Sequence, residues 1–416
     1  MSAANPPVTP QALEGIRVID LSRVLAAPYA AQILGDLGAE VIKLERPGVG
    51  DDGRIMGPPF LRDRQGRDTM DTPMFLGANR NKKSVTLNIA TPQGQNIVRR
   101  LIAQSDVLIE NYKAGDLARY GLDYESLRKV NPRLVYCSIT GFGHTGPYSH
   151  RPGYDAIFQA MGGLMSVTGN PDNEPGGGPV KVGPSIVDVI TGLFAGNAIQ
   201  AALRWRDTPG GTGQHIDMAL LDSVIAAMSH YMMTYFVSGV IPVRRGTEGN
   251  GGMPGRVFDC SDGQIMIVAG NDEQYYRLCD VLGVPELAKD PRFVRNSGRV
   301  ENRAVLTGLL QVQVGAWTKD SLVAALDNAG VPAGGVNNFE QVFADPQVIA
   351  RAMRVTVPHP LAGTVDLVRS PLRLSETPTE RYETPPQLGE HTEQVLRGLC
   401  GLAMDDIARL RSDKVI

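Results

Sequence analysis

Between residues 16 and 146, short β-rich runs alternate with helical ones, and that alternation constrains the fold more than any other feature. Residues 16–20 (IRVID) form the first run. Residues 26–37 are helical in character, Gly38 ends them, and residues 40–45 (EVIKLE) form the next run. Residues 91–104 read as a helix with Pro92 in its first turn. Residues 106–110 and 134–139 read as further strands. Strands joined through helices pair in parallel, so the fold class is α/β, with a Rossmann-like, doubly wound sheet in a large domain. Ligands of such sheets bind beyond the carboxyl ends of the strands. The loops that start at Leu21, Arg46, Asn111 and Thr140 all leave such ends.

The turn after the first strand, residues 21–28 (LSRVLAAP), contains no glycine. A dinucleotide fingerprint needs three there, for tight turning and close approach to pyrophosphate. NAD or FAD is therefore not expected at this turn. A net charge of −3 gives no support for nucleic-acid binding. No apolar run is expected to reach the length of a membrane span, so no membrane partner is expected. Residues 1–10 lack the pattern of a signal peptide and read as a frayed tail. The four cysteines and six histidines are scattered, without metal or redox spacing. No metal site is expected, and free thiols in a reducing cytoplasm are.

Residues 47–73 are rich in Gly, Pro, Arg and Asp and read as a long surface excursion. Residues 79–84 (NRNKKS) place three positive charges beside a strand at residues 85–89. Those charges suit either a solvated turn or a phosphate site. Gly153, Tyr154 and Asp155 open a helix that runs to Gly163. Residues 220–237 read as one long apolar helix.

Residues 181–192 (KVGPSIVDVITG) hold one carboxylate, Asp188, among Ile186, Val187, Val189 and Ile190. An Ala-rich helical run follows to Trp205. Two roles suit an aspartate at a helix mouth: an N-cap for orphan backbone N–H groups, or a carboxylate nucleophile in an apolar cleft. The texture changes near Ser238. The glycine-rich residues 244–255 suit either a hinge or a mobile flap. A hairpin and helices follow to Ala329, and residues 330–336 mark a second crossover. The expected layout is 11–237 as the first part of the large domain, 238–329 as a smaller α+β domain with linkers, and 330–416 returning to the large domain.

These segments together resemble the class III CoA-transferases (CaiB/BaiF), the family of formyl-CoA transferase and carnitine CoA-transferase. The carrying motifs are residues 13–20 (LEGIRVID), 34–46 (LGDLGAEVIKLER), 79–84, 110–112 (ENY), the Gly141 loop and 388–392 (LGEHT). The runs 50–54 (GDDGR) and 138–143 (SITGFG) are most similar to succinate–hydroxymethylglutarate, or dicarboxylate, CoA-transferases. The resemblance puts the family's nucleophilic aspartate on Asp188. It puts the contacts to CoA on Val24, Leu25, Arg46, Leu87, Asn88, Asn111, Lys113, Arg119, Arg151 and Tyr154. It matches a substrate flap to Gly249, Asn250, Gly251 and Gly252. Leu25 departs from the glutamine of formyl-CoA transferase, which argues against formate and oxalate.

The resemblance also implies a homodimer of interlocked, ring-like chains. It implies acyl-CoA and a carboxylic acid as substrates, with no tightly bound cofactor. Donors of hydrogen bonds to the reacting oxyanion are expected at the start of the Asp188 helix and in the flap. Arg54 and Arg80 are candidates for an acceptor's carboxylate. Two alternatives carry different chemistry. An α-methylacyl-CoA racemase shares the fold and the aspartate but uses a His-Asp pair where Tyr154 and Asp155 stand, and tyrosine is a poor base at neutral pH. A non-catalytic CoA-binding protein would need no nucleophile.

Overall fold

The computed structural model describes residues 10–249 and 251–416. The chain divides into two compact units. The first holds the chain up to Leu164, then Val182–Gly239 and Ile349–Ile416, and the second holds Met165–Lys181 and Val240–Val348.

The first unit is built on a six-stranded sheet: β1 (Arg17–Leu21), β2 (Glu40–Glu45), β3 (Lys82–Thr86), β4 (Val107–Glu110), β5 (Val135–Thr140) and β6 (His215–Ala219). Every pairing is parallel, in the order β3-β2-β1-β4-β5-β6. The order reverses between β1 and β4, and a crevice opens at such a point beyond the strand ends. Alternation along each strand feeds two cores. Val18, Val41, Val107 and Cys137 face the helices Ala26–Asp36 and Ile186–Arg206. Ile19, Ile42, Leu108 and Tyr136 face the other way, with Ile97 and Leu101 of the helix Pro92–Ile102. That second core is closed by Val395, Leu396 and Ile407 from the far end of the sequence.

The helix Ile186–Arg206 spans 21 residues and, contrary to the expectation from the sequence, is long and apolar enough to cross a membrane by length and composition. Here it packs as a core helix, with Val187, Ala195, Ile199 and Ala202 buried. Its approach to the Ala26–Asp36 helix depends on Gly192, where a Cβ would stand 2.7 Å from the Ala26 carbonyl oxygen. Backbone cannot step aside as a side chain can. Gly192→Ala should therefore destabilise the unit by about 1–3 kcal/mol, the usual cost of overpacking, measured as a lower denaturation midpoint at unchanged m.

The 79–84 charges serve neither role expected of them. Arg80 is buried against Asp36 at 2.5 Å, and Lys82 is buried on Asp20 at 2.8 Å. Lys83 pairs with Glu40. These residues begin β3, which starts three positions before the expected strand. Lys43 is also fully buried, 2.7 Å from Asp51 and 3.6 Å from Asp20. Burial alone would raise the Asp20 carboxyl, but Lys43 and Lys82 outweigh it and hold it down at about 2.

The same network orders the supposed surface excursion. Arg54 forks onto Glu45 at 2.7 and 2.9 Å, donates to the Pro386 carbonyl and lies 3.6 Å from Asp71. Arg54 and Arg80 are thus spent inside the protein, and neither is free for an acceptor's carboxylate.

Other boundaries shift for local reasons. The expected helix over 220–237 breaks at Met228 into Leu220–Ala227 and Ser229–Ser238. The chain ends in two helices, Thr392–Gly398 and Met404–Ser412. The antiparallel pair β10 (Arg354–His359) and β11 (Gly363–Val368) also belongs to the first unit.

The second unit carries β7 (Gly255–Asp259), β8 (Gln264–Val268) and β9 (Ala333–Gly335), all antiparallel. Around them pack the helices Asp272–Val281, Arg303–Val314 and Lys319–Asn328. The return expected at Gly330 therefore comes later. Residues 333–335 pair with β8, and the chain leaves the second unit after Val348. All four cysteines are free thiols.

Candidate active site

A cleft of about 290 Å³ opens at the crevice between β1 and β4. Its walls come from the loops after β1, β4 and β5, and from Tyr154, Asp155 and Asp188. Asn111 ties the first two loops together. Its side chain accepts from the Arg23 N–H at 2.9 Å and donates to the Arg23 carbonyl at 2.7 Å. The next residue, Val24, has φ 70°, a left-handed conformation that is costly for a β-branched side chain. Asp51 holds it there, accepting from the Val24 N–H at 2.9 Å while pairing with Lys43.

Asp188 lies in the first turn of its helix but is not the cap. Ser185 stands at the N-cap position and makes no side-chain cap bond. The capping group is Asp155, from 33 residues upstream, whose Oδ1 accepts from Val187 N–H at 2.8 Å and Asp188 N–H at 3.2 Å. Its Oδ2 accepts from Gln159 at 2.5 Å. The neighbouring donors are used as well: Ile186 N–H bonds to the Pro184 carbonyl and Val189 N–H to that of Ser185. The N–H groups of residues 186–189 are therefore all engaged within the protein.

With the cap supplied elsewhere, the Asp188 side chain is free to face the cleft. Burial pushes its carboxyl up, and the adjacent Asp155 charge adds to this, to about 7. A carboxylate that is half ionised near neutrality is a stronger base, and so a better nucleophile, than an ordinary aspartate.

Cations line the rest of the cleft. Arg151 stands over Tyr148 at 4.6 Å and Phe142 at 5.3 Å. Among the described residues neither Arg151 nor Lys113 forms an ion pair. Arg23 and Arg46 share Asp52, at 2.8 and 2.6 Å. Among the cleft-lining residues there is no histidine.

Of the residues expected to contact CoA, Val24, Leu25, Asn111, Lys113, Arg151 and Tyr154 line this cleft with Asp188. Arg46 and Leu87 line a small adjoining cavity, which shares Arg23 and Tyr112 with the cleft. Asn88 and Arg119 line neither; the Arg119 guanidinium covers the Tyr120 ring at 4.7 Å. Gly249, Gly251 and Gly252 lie in the second unit, and Asn250 lies outside the described residues. No cluster of side chains suited to a metal ion occurs among the described residues.

Sequence reasoning missed Asp155, Arg23 and Asp52. The helix opening at residues 153–155 was visible, and Asp155 is its only carboxylate. The bond to the Asp188 helix is long-range and leaves no local signal.

Residues 13–392 match the family described as CoA-transferase family III. A succinate–glutarate CoA-transferase of Agrobacterium fabrum is 46% identical over 388 residues, covering 93% of this chain and 95% of that protein. The human succinyl-CoA:glutarate CoA-transferase is 40% identical over 396 residues, covering 95% and 87%. Among solved structures, a CAIB/BAIF family protein from Brucella suis superposes with a TM-score of 0.85 at 45% identity, covering 94% of this chain and 99% of that one. A match over nearly the whole length, on a sheet of the same architecture, makes this chain a member of CoA-transferase family III.

Proposed function

We propose that the protein moves CoA from succinyl-CoA to a dicarboxylic acid, with Asp188 as the covalent carrier. The observation that carries this is the placement of Asp188: freed from capping, facing a cation-lined cleft, and pushed up to about 7. Its carboxylate oxygen attacks the donor thioester carbonyl. The C–S bond breaks, CoA leaves as a thiolate, and an aspartyl anhydride remains. The thiolate then attacks the aspartyl carbonyl, which releases succinate and leaves an aspartyl-CoA thioester. An acceptor acid reverses both steps. Covalent relay replaces one difficult exchange with easier ones, and no ATP is consumed.

The Asp155 charge favours the intermediates. Acylation neutralises Asp188, so the repulsion between the two carboxylates is relieved as each intermediate forms. For CoA phosphates the cleft supplies Lys113 and Arg151, and the adjoining cavity Arg46, with Arg119 lining neither. For the oxyanion, the glycines 249, 251 and 252 stay in the proposal. The names of the relatives, succinate–glutarate and succinyl-CoA:glutarate transferases, support a dicarboxylate acceptor. A histidine-free cleft with Tyr154 beside Asp188 disfavours racemisation, which needs a base on each face.

A homodimer belongs to this proposal, interlocked as in the family. Its support is the run of exposed apolar side chains on the Ser229–Ser238 helix (Tyr235, Phe236 and Val237, at 48%, 70% and 80% exposure). A cytoplasmic location is proposed with it.

The test is a panel of acids with succinyl-CoA, read by product mass. Dicarboxylic acids of four to six carbons should exceed formate by at least about ten-fold in kcat/KM. Protein quenched with succinyl-CoA should carry a hydroxylamine-sensitive adduct on Asp188. Turnover without any such adduct would remove the covalent mechanism.

A further inference from the structure

A second cavity of about 220 Å³ shares Lys113 with the cleft. It holds a buried carboxylate that the chemistry above does not use. Glu110, the last residue of β4, is 3% exposed. The other deeply buried carboxylates near the strand ends, Asp20, Glu45 and Asp51, each have a buried cation within ion-pair distance. Glu110 has none among the described residues. Its partners are neutral. Oε2 accepts from the Tyr112 N–H at 2.7 Å, and Ser138 stands opposite Glu110 in the register of β4 with β5. Ser138 Oγ in turn lies 2.9 Å from His215 Nε2. His215 stacks on Tyr124 at 5.4 Å and meets His144 edge-on at 5.1 Å. Two histidines that are scattered in the sequence thus converge on this second cavity.

The bond to Tyr112 matters because of what that loop does. Asn111, Tyr112, Lys113 and Ala114 form one wall of the cleft. Glu110 is therefore the buried anchor of a ligand-binding wall, and the strength of that anchor depends on its charge. A carboxylate accepts from an amide about twice as strongly as a neutral group does.

We propose that Glu110 is a positioning residue which, through the Tyr112 N–H, holds the 111–114 wall in its ligand-binding shape, and that its protonation loosens that wall and weakens binding of acyl-CoA. This rests on the CoA-transferase function proposed above. The surroundings suit a group that changes charge near neutrality. From β6 it faces Asp217, whose carboxylate repels it, and His215; from β5, Ser138 and Tyr136. Tyr124, Glu125 and Asp123 approach across the cavity, His144 comes from the loop after β5, and Lys113 is the one lysine or arginine on the cavity wall. Burial raises the Glu110 carboxyl to about 7, against the pull of Ser138 and the Tyr112 amide.

The test compares wild type with Glu110→Gln in steady-state assays with succinyl-CoA between pH 6 and pH 8.5. At pH 8 the variant's KM for succinyl-CoA should exceed that of wild type by about five-fold, the worth of one charged hydrogen bond. At pH 6, where wild type is itself protonated, the ratio should fall toward one. Taking the ratio cancels the titration of CoA's own phosphates. The kcat profile, set by Asp188, should be alike in both. A KM ratio that stays constant with pH, or equals one at pH 8, overturns the proposal. Should Glu110→Gln fail to fold, Ser138→Ala decides instead. Losing the Ser138 hydroxyl, which pulls the Glu110 carboxyl toward its charged form, should move the KM inflection to higher pH, and an unmoved inflection overturns the proposal. A wild type inactive with every acyl-CoA would instead refute the transferase function.

Discussion

Asp188→Asn should lose at least about a thousand-fold in exchange rate, as expected when a covalent carrier is removed, and should at the same time melt higher than wild type at pH 8. The second half separates this residue from an ordinary structural aspartate. A half-buried, unpaired carboxylate is a burden on the folded state once it is charged. Its carboxyl is raised from 3.8 to about 7 in the fold. The native state therefore holds the Asp188 proton more tightly than the unfolded chain does. Stability contributed at this position falls as pH rises from about 4 to about 7, and the loss is complete above that range. Asparagine has the same shape and no charge, so it escapes the loss. With a discount for the open side of the cleft, the gain at pH 8 is about 2 kcal/mol. In a chain of this size that is a few degrees in Tm. The difference should vanish near pH 4. Calorimetry of the two proteins at pH 4, 6 and 8 checks both sign and window. A variant that is less stable at pH 8 would make Asp188 a structural group after all. Trapping with succinyl-CoA should then show no adduct on the asparagine protein.

How far the sequence anticipated this site depends on the range of each interaction. The sheet was legible because strand–helix alternation and the period of each run are local properties. So was the position of Asp188, one carboxylate at the mouth of an apolar helix, though its identity as nucleophile came from family resemblance. The charges of residues 79–84 were misread because a lysine destined for burial looks like any other. Only the fold shows that Asp20 waits for Lys82, 62 residues away. The same holds for Arg54, whose position in a Gly-Asp-Asp-Gly-Arg run suggested a surface loop. Its partners are Glu45 at the end of β2, Asp71 at the far end of the same excursion, and the Pro386 carbonyl 332 residues away. The meeting of His144 with His215 is also tertiary, made by the pairing of β5 with β6. In each case what escaped was a polar contact across the chain, and such contacts leave no period behind.

Asp155 is the residue for which this matters most, and Asp155→Asn is the sharper probe of the mechanism. Asparagine keeps an oxygen that can accept from Val187 and Asp188 N–H, so the helix start stays capped and the fold should persist. What disappears is a negative charge beside the nucleophile. Burial is the larger cause of the raised Asp188 carboxyl and Asp155 the second. Removing it should lower the midpoint of the kcat–pH profile by about one unit without abolishing the shift. At pH 6 a larger share of the variant is then ionised. If ionisation alone governed the rate, the variant would be faster there. The intermediates argue the opposite. In wild type, forming the anhydride or the aspartyl thioester removes one of two adjacent charges, and that relief lowers the barrier to acylation. Without Asp155 there is no repulsion to relieve, so the plateau kcat should fall by about ten-fold, the rate equivalent of one pKa unit. A lower midpoint combined with a lower plateau is a signature that a capping role alone does not produce. An unmoved midpoint would mean that Asp155 acts only as the cap of the helix that carries Asp188.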